Sequence, residues 1–219
     1  MKRIFDIIAA FMGLVLLFIP GVLVAAAVKV TSAGPVFFRQ ERVGRRFRLF
    51  RIYKFRTMVQ DAPLQGGQIT FGDDPRITRI GRILRKTKID ELPQLINVLV
   101  GDMSLVGPRP EVPRYVELFH DDYVEILTAR PGITDLASLK YRDEASILGS
   151  ATDPDKEYTI HILPEKIAVA KEYVRRASLW LDFSIIFKTI LVGLGFEPLL
   201  PGENTRGASE PNPDGKAAE

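Results

Sequence analysis

One unbroken apolar run near the start restricts most strongly what this chain can fold into. Between Ile4 and Val30 only Asp6 and Lys29 carry charge, and a helix of that length can cross a bilayer. No small-residue cleavage site separates the run from a polar chain, so it does not read as a removable signal peptide. Pro20-Gly21 interrupts it, and an internal proline removes a helix hydrogen bond and bends the axis. The choice is between a kinked span and a helix-break-helix that enters and leaves by one face. Lys2 and Arg3 precede the run, while Lys29, Arg39, Arg42, Arg45, Arg46 and Arg48 follow it. Positive charge marks the cytoplasmic side, so both flanks point to one face and favour re-entry, with the membrane break at Pro20.

The second organising stretch is GRILRKTKIDELPQLINVLVGDMSLVGPRPE, from Gly81 to Glu111. Upstream of its acids, Arg76, Arg79, Arg82 and Arg85 recur every three residues around Ile77, Ile80, Ile83 and Leu84. That spacing predicts an amphipathic helix with a cationic face, starting at Asp74 with Asp73 or Asp74 as its cap. Downstream, Leu92, Leu95, Ile96, Leu99 and Val100 predict a second helix, with Pro93 in its first turn and an end near Gly101. Asp90 and Glu91 thus fall at a helix N-terminus, where the dipole favours the ionised carboxylate. Gly107-Pro108-Arg109-Pro110 predicts a stiff loop. Taken alone, Asp90 and Glu91 read first as capping acids beside a solvated arginine face. Read functionally, they supply a nucleophile or metal ligand, with cations close by for an anionic substrate.

The remaining segments are simpler. Val36 to Val43 and Phe47 to Met58 predict a hairpin around Gly44-Arg45. Its interleaved aromatics and arginines suit either nucleic acid or a half-buried sheet with cations toward solvent and headgroups. Gln60 to Asp74 and Ser146 to Lys156 predict loops, and Val112 to Thr128 one helix. His120 is expected to be a partly exposed helix residue. Pro164 to Arg176 predicts a helix, and Leu179 to Phe196 a sided apolar one, either interfacial or core. From Glu197 onward the composition predicts a disordered tail.

Composition narrows the chemistry. No cysteine occurs, which excludes disulfides and thiol catalysis, and two histidines exclude a histidine-rich metal site. The net charge of +3 is mild, but basic residues dominate from Arg39 to Lys88 and the tail is acidic. That asymmetry suggests an anionic partner: phosphates, headgroups or nucleic acid.

KxDELPQLxNVLxGDMSLVGPRPE resembles the signature of the bacterial sugar transferase family, the small monotopic phosphoglycosyl transferases that act on polyprenyl phosphate. KRxFDIIxA, GPVFFRQERVG with YKFRTM, and RPGIT match further segments, in register from about Lys2 to about Phe196. Two departures stand out. The family's Ser-Pro at the membrane break is Ile19-Pro20 here, and its usual Gly-Leu-Ala-Gln is Asp135-Leu136-Ala137-Ser138.

The resemblance implies an α+β, mostly helical fold. Residues 1–32 would form a re-entrant membrane helix, 33–196 a cytosolic catalytic domain with interfacial helices, and 197–219 a dispensable tail. It implies transfer of a phosphosugar from a UDP-sugar to polyprenyl (undecaprenyl) phosphate, with UMP released, at the cytosolic face of the bacterial inner membrane. The expected catalytic residues are Asp90, the nucleophile, and Glu91. The expected substrate-binding residues are Lys54, Arg56, Arg85, Pro108, Arg109 and Pro110. Mg2+ is the expected cofactor, with Asp90 as its ligand. Membrane lipid is an expected partner and nucleic acid is not; a homodimer stays open. The competing expectations are a non-enzymatic module binding anionic lipid or nucleic acid, and a single-step transfer without a covalent intermediate.

Overall fold

The computed structural model describes residues 1–65, 70, 74–141 and 144–196. The expected tail, and much of the expected 60–74 loop, lie outside the described residues. Two helices come first, α1 (Lys2–Leu16) and α2 (Phe18–Thr31), bent by 62° where they meet. Among the described residues no single helix is long and apolar enough to cross a membrane. The break falls at Leu17, one turn before the expected Pro20. Pro20 lacks the N–H that would reach the Leu16 carbonyl, and its ring crowds that carbonyl, so the helix gives way upstream of the proline.

The expected hairpin forms from β1 (Phe37–Val43) and β2 (Leu49–Phe55), antiparallel with Phe37 opposite Phe55 and Val43 opposite Leu49. Its sidedness is incomplete: Phe55 and Ile52 are buried, whereas Phe37, Phe38 and Phe47 remain exposed. A short helix α3 (Ala62–Gln65) follows. Helix α4 (Arg79–Lys86) begins five residues later than expected, capped by Thr78, whose hydroxyl accepts from the Gly81 N–H at 3.0 Å. Asp74 does not cap it. Its carboxylate instead grips Arg76 at 2.6 Å, and both are buried, which removes Arg76 from the expected cationic face. Arg79 and Arg82 stay exposed.

After a 3-10 turn at Ile89–Glu91 come α5 (Gln94–Val100) and β3 (Ser104–Val106). Helix α5 ends where expected, because Gly101 takes the left-handed conformation (φ 100°) that closes a helix. The expected 112–128 helix is two, α6 (Pro113–Leu118) and α7 (His120–Ile126), broken at Phe119 with Asp121 and Asp122 opening the second. Strand β4 (Gly132–Thr134) then pairs in parallel with β3. Two three-residue strands are too short to show periodicity, so this pair leaves no mark in the sequence pattern.

Helices α8 (Leu136–Lys140), α9 (Glu144–Ser150) and α10 (Pro154–Glu157) follow. The last two replace most of the expected 146–156 loop. Asp153 caps α10 and Pro154 occupies its first turn, a start signal that the loop reading passed over. A π-helical turn (Tyr158–Ile162) runs into α11 (Leu163–Arg176), and α12 (Leu179–Gly193) closes the described chain.

The N-terminal helices are built into the body. Ala10 is fully buried with Ile52, Val98 and Met103, and Val28 with Phe55 and Leu84. Arg3 donates to the carbonyls of Val98 (2.6 Å) and Leu99 (3.1 Å), neutralising the C-terminal end of α5. Lys2 pairs with the buried Asp182 of α12 at 2.5 Å, which also accepts from Tyr173 at 2.6 Å. Outward, α12 leaves Trp180, Phe183, Phe187 and Ile190 exposed, and Phe183 meets Phe5 of α1 edge to face with ring centres 5.0 Å apart.

Candidate active site

The two acids sit on the 3-10 turn between α4 and α5. Its backbone enters through Lys88 in the left-handed region (φ 57°, ψ 14°), unusual for a side chain of that size. That reversal turns the chain back under β2, and both Asp90 and Glu91 become buried. Asn97, with no exposed surface, ties α5 to the same strand: its Nδ2 donates to the Arg51 carbonyl (2.8 Å) and its Oδ1 accepts from the Tyr53 N–H (3.0 Å). Lys54 therefore projects from β2 directly onto the acids.

The neighbours differ sharply in their partners. Glu91 is saturated. Its Oε1 accepts from Lys54 Nζ at 2.7 Å and from Arg109 Nη2 at 2.5 Å, and its Oε2 from Arg109 Nη1 at 3.2 Å. Burial pushes this carboxyl up, but Arg109 and Lys54 together outweigh burial and hold it well below the usual range. Asp90 is the reverse case. Its Oδ1 is buried with no hydrogen-bond partner. Burial raises its pKa and Lys54 only partly offsets that. The expected ionisation at a helix N-terminus is thus corrected in direction for Asp90, because desolvation outweighs the short dipole that follows.

Arg109 is aimed by its loop. Gly107 donates to the Thr134 carbonyl at 3.1 Å, and Gly132 to the Pro108 carbonyl at 3.0 Å. The two backbones pass so closely that a Cβ on Gly132 would stand 2.1 Å from the Gly107 nitrogen, a separation only glycine permits. Pro108 and Pro110 are buried here and act through backbone stiffness. Glutamate attraction, with burial opposing, raises the Arg109 pKa, so the guanidinium is permanently charged.

Of the other expected residues, Arg85 donates to Thr57 Oγ1 at 2.9 Å; burial lowers its pKa and the Asp90 charge opposes this, which places it in the field of that acid. Arg56 is not on the acids. It is buried and donates to the Ser32 carbonyl and hydroxyl, both at 2.7 Å, fastening the end of α2. His120 is exposed at the start of α7, stacked on Phe47 with ring centres 4.9 Å apart. Sequence reasoning missed Asn97, a polar residue on an apolar helix face, and Asp135, whose Oδ2 accepts from the Arg109 N–H at 3.0 Å.

The site gathers three cations, Lys54, Arg85 and Arg109, around two buried carboxylates. Among the described residues no three histidine, cysteine or acidic side chains group to hold a metal ion. A divalent cation would find one protein ligand, the unpartnered Asp90 Oδ1, with a substrate's phosphates as its other partners. That suits magnesium, which commonly binds through one or two carboxylates and keeps waters and phosphates.

Comparison with known proteins gives this arrangement its context. The bacterial sugar transferase family model matches residues 1–195. A UDP-N-acetylgalactosamine-undecaprenyl-phosphate N-acetylgalactosaminephosphotransferase of Aeromonas hydrophila is 43% identical over 201 residues, which are 89% of this chain and 44% of that protein. A UDP-glucose:undecaprenyl-phosphate glucose-1-phosphate transferase of Caulobacter vibrioides is 42% identical, covering 86% of this chain and 68% of that one. The exopolysaccharide production protein PSS of Rhizobium leguminosarum is 39% identical over 87% of this chain and 94% of its own. The chain thus spans less than half of the Aeromonas relative and nearly all of the Rhizobium one. With the match running through the apolar helices, the acid pair and the Pro-Arg-Pro loop alike, the chain belongs to the bacterial sugar transferase family.

Proposed function

We propose that the protein is a phosphoglycosyl transferase, moving a phosphosugar from a UDP-sugar to undecaprenyl or a similar polyprenyl phosphate. Relatives named for this reaction support the substrate classes. The observation that carries the reading is the asymmetry of the acids: Glu91 engaged on both oxygens, Asp90 with a buried oxygen left free.

In the first step an Asp90 oxygen attacks the phosphorus attached to the sugar. The bond to the bridging diphosphate oxygen breaks, and UMP leaves with that electron pair, so no proton need move. In the second, an oxygen of polyprenyl phosphate attacks the same phosphorus and the Asp90 carboxylate departs. Lys54, Arg85 and Arg109 offset the phosphate charge as it shifts. Bound Mg2+, held through Asp90 Oδ1 and the phosphates, would lower the charge of the diphosphate. Glu91 keeps Lys54 and Arg109 aimed rather than attacking.

The exposed apolar residues on each of α1, α2 and α12 support docking in a bilayer, with α1 and α2 as a re-entrant pair on the cytosolic face of the inner membrane. The lipid acceptor then reaches the site from headgroup level. Incubation with UDP-sugar alone tests the mechanism. A phosphosugar mass added at Asp90 supports it; transfer without any trapped adduct would favour single-step displacement.

A further inference from the structure

The segment Asp135-Leu136-Ala137-Ser138 touches the active-site loop from behind. Asp135 is buried, and its two oxygens have different tasks. Oδ1 accepts from the Ser138 N–H at 2.6 Å and caps α8; Oδ2 accepts from the Arg109 N–H at 3.0 Å. Pro108 and Pro110 have no amide hydrogen, so Arg109 supplies the only N–H between Gly107 and Glu111. That hydrogen is spent on Asp135. The bond from Gly132 holds the carbonyl of the same Pro108–Arg109 peptide, and Asp135 holds its N–H, so the peptide is gripped at both ends.

Resting on the transferase reading, we propose that Asp135 is a positioning residue. By taking the one amide hydrogen of the Pro-Arg-Pro stretch, it fixes the backbone from which Arg109 reaches Glu91 and the donor phosphates. The carboxylate is suited to this because it offers two acceptors at once. A residue with one side-chain acceptor can cap α8 or hold Arg109, not both. A glycine at this position would offer neither bond. The same negative charge, 3.0 Å from the Arg109 backbone, also favours the cationic state of that side chain.

The test compares Asp135→Ala, Asp135→Ser, Arg109→Ala and the Asp135→Ala/Arg109→Ala double variant, each as the full chain in detergent or nanodiscs. Amide exchange at Arg109 reads the fastening without reference to activity. Asp135→Ala is expected to speed it at least about fivefold, the scale of one lost buried hydrogen bond. Asp135→Ser keeps the helix cap and should exchange as fast as the alanine variant. If serine restores parental exchange, the cap alone matters and the proposal fails. In turnover, Asp135→Ala should raise the donor KM more than it lowers kcat. The double variant should then lose no more than Arg109→Ala does, within about twofold, because both changes remove one interaction. Independent, multiplying losses would overturn the proposal. Absence of monophosphate release from the parent protein would instead overturn the transferase reading, and the exchange result would still decide the role of Asp135.

Discussion

Asp6 accepts a hydrogen bond from the Ser104 hydroxyl at 2.8 Å, joining the first helix to the strand that leads into the Pro-Arg-Pro loop. The other carboxylate oxygen takes the Leu105 N–H at 3.1 Å, and Asp6 is almost wholly buried. An acid inside an apolar helix is costly unless its oxygens are satisfied. Asp6→Ala would strand both donors and should cost about 2–3 kcal/mol. Thermal unfolding in detergent checks this, with Leu105 amide exchange locating the loss.

Asp90→Asn removes the proposed nucleophile while keeping the side-chain shape. UMP release should fall below detection and the protein should still fold and bind membranes. Near-parental rates would exclude the covalent route.

The paired acids titrate in opposite senses. Glu91 has a folded pKa well below its ordinary 4.5, so its stabilisation is full above that value and is lost as pH falls below it. Asp90 has a raised folded pKa, so its ionised form weighs against the fold at neutral pH. With a chelator present, Asp90→Asn should raise the melting temperature at pH 7 by roughly 2–4 °C, the scale of about 1 kcal/mol. Glu91→Gln should lower it, and the gap between parent and Glu91→Gln should narrow below pH 4.5.

Lys54→Met leaves Glu91 with Arg109 alone. Removing one partner of a largely buried pair costs several kcal/mol when the other charge is stranded, and Arg109 limits that to about 2 kcal/mol. Donor affinity should weaken about tenfold or more, read as KM for UMP release.

The chain has one tryptophan, Trp180, and it is 85% exposed on α12. Its emission should shift to shorter wavelength when anionic vesicles are added, since aromatic side chains settle at the interface. Phe187→Glu on the same outward surface should weaken that shift at equal lipid.

Much of this was legible in the sequence because its signals are local. The hairpin and the end of α5 at Gly101 follow from periodicity and glycine, and the gathering of Lys54, Glu91 and Arg109 follows what the family resemblance implied. What was not legible depends on distant partners. Asp90 sits on a turn whose dipole favours charge, yet burial under β2 decides its pKa. Asp74 looks like a helix cap, and it is Arg76, two residues on, that captures it. Arg56 shares a motif with Lys54 but, two positions along, reaches α2 instead of the acids. The Leu17 break shows a local rule displaced by one turn, since proline disturbs the carbonyl four residues before it.

The ties from Arg3, Asp6 and Ala10 also bear on how the protein can be handled at the bench. Trimming away the greasy leader to obtain a water-soluble fragment would unroof Val98, Met103 and Ile52 and release the strand behind Arg109. Such a fragment should aggregate rather than work, so purification has to keep both N-terminal helices with the acid pair.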